Sequence, residues 1–189
     1  KVHPDHAEQV LAGLKPGSSV QAKIDGAAAL TKVLEDKLEV VSYRTAKETG
    51  HPIVHTERVF KGPVTISVPK KYVGTVLRGE LYGVKDHDVI PPQELGGILN
   101  AALAKSMETQ KERGINLKHL IFVIQQLGQS PTKNLPHAKR LELVKEVLKY
   151  LPAERFHAPE EAKTPEAALA LFKKIREGRH PLTHEGSVI

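Results

Sequence analysis

Apolar and polar residues alternate with a period of two through Ser19-Val20-Gln21-Ala22-Lys23-Ile24, which predicts a strand over 18–24 ending in an Asp25-Gly26 turn. Strands are also predicted over 28–34 and 38–43, with Glu35-Asp36-Lys37 as the turn between them. The segment from Thr45 to Thr56, with Gly50 and Pro52, reads as a loop, and Val64 to Val68 alternates weakly. Val73 to Val84 reads as a strand pair with Arg78-Gly79-Glu80 inside it. The run from Leu117 to Leu127 is apolar enough for a buried strand, and Glu185 to Ile189 begins one more. Helical patterns cover Pro4 to Leu14, stopped by Gly13 and Pro16, and Gln93 to Lys111. His137 to Tyr150 carries Leu141, Val144 and Leu148 on one helix face. Thr164-Pro165 caps a last helix that Gly178 closes. Residues 86–92 and 128–136 are turn-rich connections. The pattern implies an α+β fold, mainly antiparallel, with helices packed outside the sheet.

Composition narrows the class. At 189 residues the chain has room for one domain with a full core, and 40% hydrophobic with 26% charged residues is ordinary for a globular protein. With no cysteine there is no disulfide framework, no thiolate zinc site and no thiol nucleophile. A formal charge of +6 favours a polyanionic partner. No apolar run is long enough to span a bilayer and no signal peptide is visible, so the expectation is an intracellular, cytoplasmic or nuclear protein without a membrane partner.

The candidate chemistry starts at Lys23. A lysine at a strand end beside Asp25 and Gly26 is a nucleophile once it is deprotonated. Arg44, at the end of Ser42-Tyr43-Arg44, suits a phosphate because its guanidinium fork binds oxygen pairs. Glu80 lies between strand apolars in Leu77-Arg78-Gly79-Glu80-Leu81, which reads either as a buried carboxylate or as a glutamate paired with Arg78 on a sheet surface. Phe122, one of four phenylalanines, is either core or a face on which a base stacks.

Taken in order, Lys23-Ile24-Asp25-Gly26, Ser42-Tyr43-Arg44, Gly79-Glu80-Leu81, Phe122 and Glu185-Gly186-Ser187-Val188-Ile189 resemble the motifs of the covalent nucleotidyltransferases. That family holds the DNA ligases, RNA ligases and mRNA capping enzymes. The stretch from Leu120 to Leu148 is most similar to the adenylation domain of ATP-dependent DNA ligases. The resemblance implies a nucleotidyltransferase (ATP-grasp-like) domain over 1–189, with two mainly antiparallel sheets and flanking helices. It is expected to be truncated at its C-terminal end, with the oligonucleotide-binding-fold domain absent. By resemblance, Lys23 attacks the α-phosphate of ATP to form a lysyl–AMP, later passed to a 5′-phosphate at a nick. Gln21, Lys23, Ile24, Asp25, Gly26, Arg44, Glu80, Phe122 and Glu185 would bind the nucleotide. Glu185 and Glu80 would serve the metal, Mg²⁺, and nicked duplex DNA would be the partner of a monomer.

Ala28 departs from the pattern, because ATP-dependent DNA ligases usually carry Arg there. Ala28 and Arg78-Gly79-Glu80 resemble the NAD-dependent ligases, while Glu185 favours the ATP type. An RNA ligase or capping-type enzyme would leave the same lysine motif. A non-catalytic nucleotide- or nucleic-acid-binding module is the alternative from another class. The 10 histidines are scattered, and close pairs such as His3/His6 and His51/His55 read as solvated side chains rather than a metal site.

Overall fold

The structure is a computed structural model that describes residues 3–183 and 186–189. The chain divides into two compact units: Lys1–Asp25 with Pro159–Ile189, and Gly26–Ala158.

The first unit joins the two ends of the chain. Helix α1 (Pro4–Ala12) starts with proline at its first turn and stops at Gly13. Helix α6 (Pro165–Arg176) is capped as its sequence predicts, with Thr164 Oγ1 accepting from the Ala167 amide at 3.2 Å. The two helices pack together, and Leu11, Val20, Ala162 and Ala168 form a small core with Leu14, Leu171 and Phe172. Val20 exchanges both backbone hydrogen bonds with Ala162, at 2.8 and 2.9 Å. Strand β1 (Gln21–Lys23) then pairs antiparallel with the last strand of the chain, Gly186–Val188.

The second unit is built on an eight-stranded sheet. Its strands are β2 (Ala27–Val33), β3 (Leu38–Thr45), β4 (Pro52–Val54), β5 (Val76–Lys85), β6 (Asp88–Val89), β7 (Asn116–Leu127), β8 (Ser130–Pro131) and β9 (Phe156–His157). The order is β4-β3-β2-β5-β7-β8, with β6 on β5 and β9 parallel to β7. The strand Gly186–Val188 is β10. One face of the sheet carries Ala29, Val33, Leu77, Leu81, Ile121 and Ile124 into the core. Helix α3 (Pro92–Asn100) adds Leu95, Ile98 and Leu99, and α5 (His137–Leu148) adds Leu141, Val144 and Val147. No helix of the described residues is long and apolar enough to cross a membrane.

Four local readings of the sequence change. The Thr45–Thr56 segment is not all loop, since it holds β4 and leads into a short helix, α2 (Thr56–Phe60). Val73 to Val84 is not a strand pair: Val76 to Val84 belong to the single ten-residue strand β5, which runs through Arg78-Gly79-Glu80. Gly79 is there because β7 crosses against it: a Cβ would overlap the Leu120 carbonyl oxygen. The helix expected over 93–111 breaks at Ala101 and Ala102, which are extended, before α4 (Leu103–Arg113) begins. Arg58 from α2 fixes that break by donating to the Ala101 carbonyl at 2.7 Å and to Val54 at 2.9 Å. Finally, Val64, Ile66 and Val68 do pack on the core as alternation suggests, but outside any regular strand.

Two histidines sit inside this unit without charge. His119 is fully buried on β7, its Nδ1 2.8 Å from the Thr31 hydroxyl. Burial pushes its pKa down to about 4. His55 also falls to about 4, through burial first and the nearby Arg58 charge second. The unfolded chain takes up these protons near 6.5 and the folded chain only near 4. Stability from both groups is therefore full above about pH 6.5 and is lost as pH falls toward 4. At full effect each histidine contributes about 3 kcal/mol. Thermal melts between about pH 7 and 4 should fall steeply, and His119→Asn should flatten part of that fall. A pH-independent melting temperature over this range would contradict the buried, neutral histidines.

Candidate functional site

The residues singled out in the sequence fall into both units. Gln21, Lys23, Ile24 and Asp25 lie in the first, and Gly26, Arg44, Glu80 and Phe122 in the second.

In the first unit the lysine motif ends β1. Gln21 and Ile24 are buried, while Lys23 and Asp25 are exposed; Gln21 and Lys23 share one strand face, so burial falls off along it toward the turn. The antiparallel register sets Lys23 opposite Gly186, Ala22 opposite Ser187 and Gln21 opposite Val188. The first and last motifs, more than 160 residues apart in the sequence, are thus hydrogen-bonded neighbours. The Gln21 amide nitrogen is buried and has no hydrogen-bond partner among the described residues. An acceptor on a bound ligand would satisfy that donor. Glu185 lies outside the described residues.

In the second unit the sheet presents a second face, opposite its core. Paired residues share a face, so the register assigns its members. Ala28 faces Glu80 across β2 and β5, Leu30 faces Arg78, and Lys32 faces Val76. On the other side of β5, Glu80 faces Leu120 and Arg78 faces Val123. Glu80 is half-exposed on this surface, not buried between the strand apolars, because Leu77, Gly79 and Leu81 take the core side. Gly26 sits against this strand: a Cβ there would come 2.5 Å from the Leu81 carbonyl oxygen and 3.4 Å from Glu80 Oε2. The glycine of the lysine motif and the Glu80 carboxylate are therefore in close approach, which only glycine permits.

Phe122 is placed by a bulge. The β5–β7 register steps from Gly79↔Ile121 to Arg78↔Val123, which leaves Phe122 as the extra residue. It is half-buried, whereas Ile121 and Ile124 on either side are core. Arg44 is exposed near the end of β3, where the register with β4 also shifts between Val41 and Thr45. Ser42 holds that irregular stretch, its hydroxyl donating to the Arg44 carbonyl at 2.6 Å and accepting from the Ile53 amide at 2.8 Å.

Sequence reasoning weighed Arg78 only as a partner of Glu80 and gave Tyr43 no role of its own. The structure stacks the Arg78 guanidinium on the Tyr43 ring, 3.9 Å from its centroid. The signal was available: 41 and 43 on one strand and 78 and 80 on another share a face once β2 pairs with both. It needed the strand order, which periodicity does not supply.

Among the described residues no group of three His, Cys, Asp or Glu is gathered to hold a metal. On the second face Glu80 supplies a hard carboxylate oxygen, while Glu39 on the same face is paired with Lys32. Such a donor suits Mg²⁺, which is typically held by one or two carboxylates together with substrate phosphates.

Among solved structures the chain is similar to a mycobacterial DNA ligase D complexed with ATP and MES, at 15% identity and a TM-score of 0.53, over 87% of this chain and 47% of that one. It is also similar to the ligase domain of M. tuberculosis LigD, at 15% identity and a TM-score of 0.55, over 86% and 46%. A third likeness is to the ATP-dependent DNA ligase of bacteriophage T7 in complex with ATP, at 14% identity and a TM-score of 0.50, over 94% and 59%. The chain spans about half the length of the first structures it matches. No family model and no curated protein matches it. The likeness is one of fold: the chain has the mixed α and β nucleotidyltransferase fold of ATP-dependent DNA ligases.

Proposed function

We propose that residues 1–189 are the adenylation domain of an ATP-dependent DNA ligase and that Lys23 is its nucleophile. The observation that carries this reading is the pairing of β1 with β10, which sets the lysine motif against the glycine of the final motif in a chain with the ligase fold. Lys23 Nζ, once its ammonium has lost a proton, attacks the α-phosphorus of ATP. A nitrogen–phosphorus bond forms, the bond to the bridging oxygen breaks, and pyrophosphate leaves. The resulting lysyl–AMP is the activated adenylyl group that a 5′-phosphate then takes.

The other residues bind and position. Gln21 offers its unpartnered buried amide to the base, and Ile24, Asp25 and Gly26 complete the lysine motif. Glu80 holds the ribose or the metal, Arg44 a phosphate, and Phe122 the adenine face. Bound Mg²⁺ would neutralise phosphate charge in such a transfer, held by Glu80 and, as the second proposed carboxylate, Glu185. The net +6 charge supports a nucleic-acid partner whose affinity falls with salt through counterion release. An RNA acceptor is the second reading, favoured by Ala28, which leaves that position without a cation. Incubation with labelled ATP tests the first step, and ligation of nicked DNA against nicked RNA substrates separates the two acceptors.

Phe122 gives a quantitative check. If adenine stacks on it, Phe122→Leu keeps the melting temperature and weakens ATP binding by roughly 1–3 kcal/mol. A lower melting temperature with unchanged affinity per folded molecule would instead make Phe122 a packing residue.

A further inference from the structure

We propose that Arg78, stacked on Tyr43, is a second phosphate-binding residue of the sheet's outer face, in addition to Arg44. Four observations in the same unit carry it. Arg78 is centred in the sheet, with Leu30 of β2 on one side and Val123 of β7 on the other. Its guanidinium carbon lies over the Tyr43 ring, 3.9 Å from the centroid, and Tyr43 itself is 44% exposed, so the contact borders solvent. Its Nε is buried and has no hydrogen-bond partner, and among the described residues no carboxylate is within ion-pairing distance of the group. Ala28, the small residue opposite Glu80, is diagonal to Arg78 on the same face and leaves room there that a larger side chain would fill.

A sheet-centre arginine with a carboxylate partner would be a structural ion pair. Arg78 has apolar flanks and an aromatic base instead, and no carboxylate partner among the described residues. Stacking fixes the plane of the guanidinium and leaves its edge free, so the fork is preorganised for a pair of oxygens. Partial burial among Leu30, Val41 and Val123 removes water that would otherwise compete for those donors. Glu80, two positions on along the same face, disfavours a second carboxylate ligand nearby but tolerates a phosphate accompanied by a cation. The ligand is therefore a phosphate group, carried either by the nucleotide or by the 5′ end of a nucleic acid.

The inference rests on the adenylation reading only for the choice between those two sources. Binding is accordingly measured in the Lys23→Ala chain, in which no adduct is expected and chemistry cannot interfere. One arm titrates ATP with Mg²⁺. The other titrates nicked duplex DNA bearing either a 5′-phosphate or a 5′-hydroxyl at the nick, at fixed salt. Arg78→Gln should lower ATP affinity, or remove the preference for the 5′-phosphate, by roughly ten- to a hundredfold, the range of a charge-assisted hydrogen bond. Arg78→Lys, which keeps the charge but loses the fork, should recover only part of it. The arm that responds identifies the source. If Arg78→Gln melts like its parent and both arms are unchanged, the stack only covers the sheet and the proposal fails. Should Arg78→Gln not fold, Arg78→Lys decides: full parental affinity in both arms overturns a bidentate phosphate site. Loss of Arg78-dependent binding would leave Lys23 chemistry intact as a claim, and an unlabelled Lys23 would leave the phosphate site intact.

Discussion

Lys23→Ala protein incubated with ATP and Mg²⁺ is expected to carry no adenylyl group. Lys32→Ala and Lys37→Ala are expected to carry as much as the unaltered chain. The three lysines are close in sequence but differ in setting. Lys23 is exposed at the end of β1, opposite Gly186. Lys32 lies on the outer sheet face with its ammonium 3.5 Å from Glu39, and both side chains are largely solvated. Lys37 is in the β2–β3 connection, where its carbonyl accepts from the Leu34 amide at 2.9 Å. Covalent catalysis through an amine has no fallback when the amine is removed, so the loss should be complete rather than partial. Intact mass reads the result directly, and an adduct on the Lys23→Ala chain would sink the assignment.

The second large effect is structural. Gly79→Ala should cost about 3 kcal/mol or more, or prevent folding, because its methyl group meets the backbone of β7 and not a movable side chain. The built Cβ overlaps the Leu120 carbonyl oxygen and comes 2.6 Å from its carbon and 2.9 Å from the Ile121 Cα. Relief would require separating β5 from β7 at the centre of the sheet, beside the bulge that presents Phe122. Gly97→Ala is the matched control. Gly97 is exposed within α3, with nothing within 4 Å of its Cβ position. Alanine there should stabilise by roughly 0.5–1 kcal/mol through helix propensity. Denaturant unfolding of both variants separates them, and near-parental stability of Gly79→Ala would contradict the crossing of the two strands.

The same glycine shows where sequence reading reached its limit. Arg78-Gly79-Glu80 sits inside a run that reads as a strand pair, although glycine inside a strand pattern also marks a bulge or a close backbone approach. Here the run continues, and the reason for glycine is a strand more than 40 residues later, which no local window contains. Strands whose pattern was self-contained, such as 28–34 and 117–127, were legible, and so was α6, whose Thr164-Pro165 cap is a local signal. The break between α3 and α4 was not, because it is fixed by Arg58 from another helix. Of the site, the order of the motifs was readable, but the pairing of Lys23 with Gly186 and the approach of Gly26 to Glu80 join segments far apart in the sequence and were not. Of the two readings of Glu80 the sheet-surface position is the one found, while the Arg78–Tyr43 stack was not readable, because it depends on the strand order and on which face each strand turns to the core.

The most direct measurement is intact mass of the unaltered chain after incubation with ATP and Mg²⁺, followed by peptide mapping. The account predicts a gain of one adenylyl group, acid-labile as a phosphoramidate is, on the peptide containing Lys23. A stable chain that binds ATP yet gains no adenylyl group, or gains it on another lysine, would contradict it.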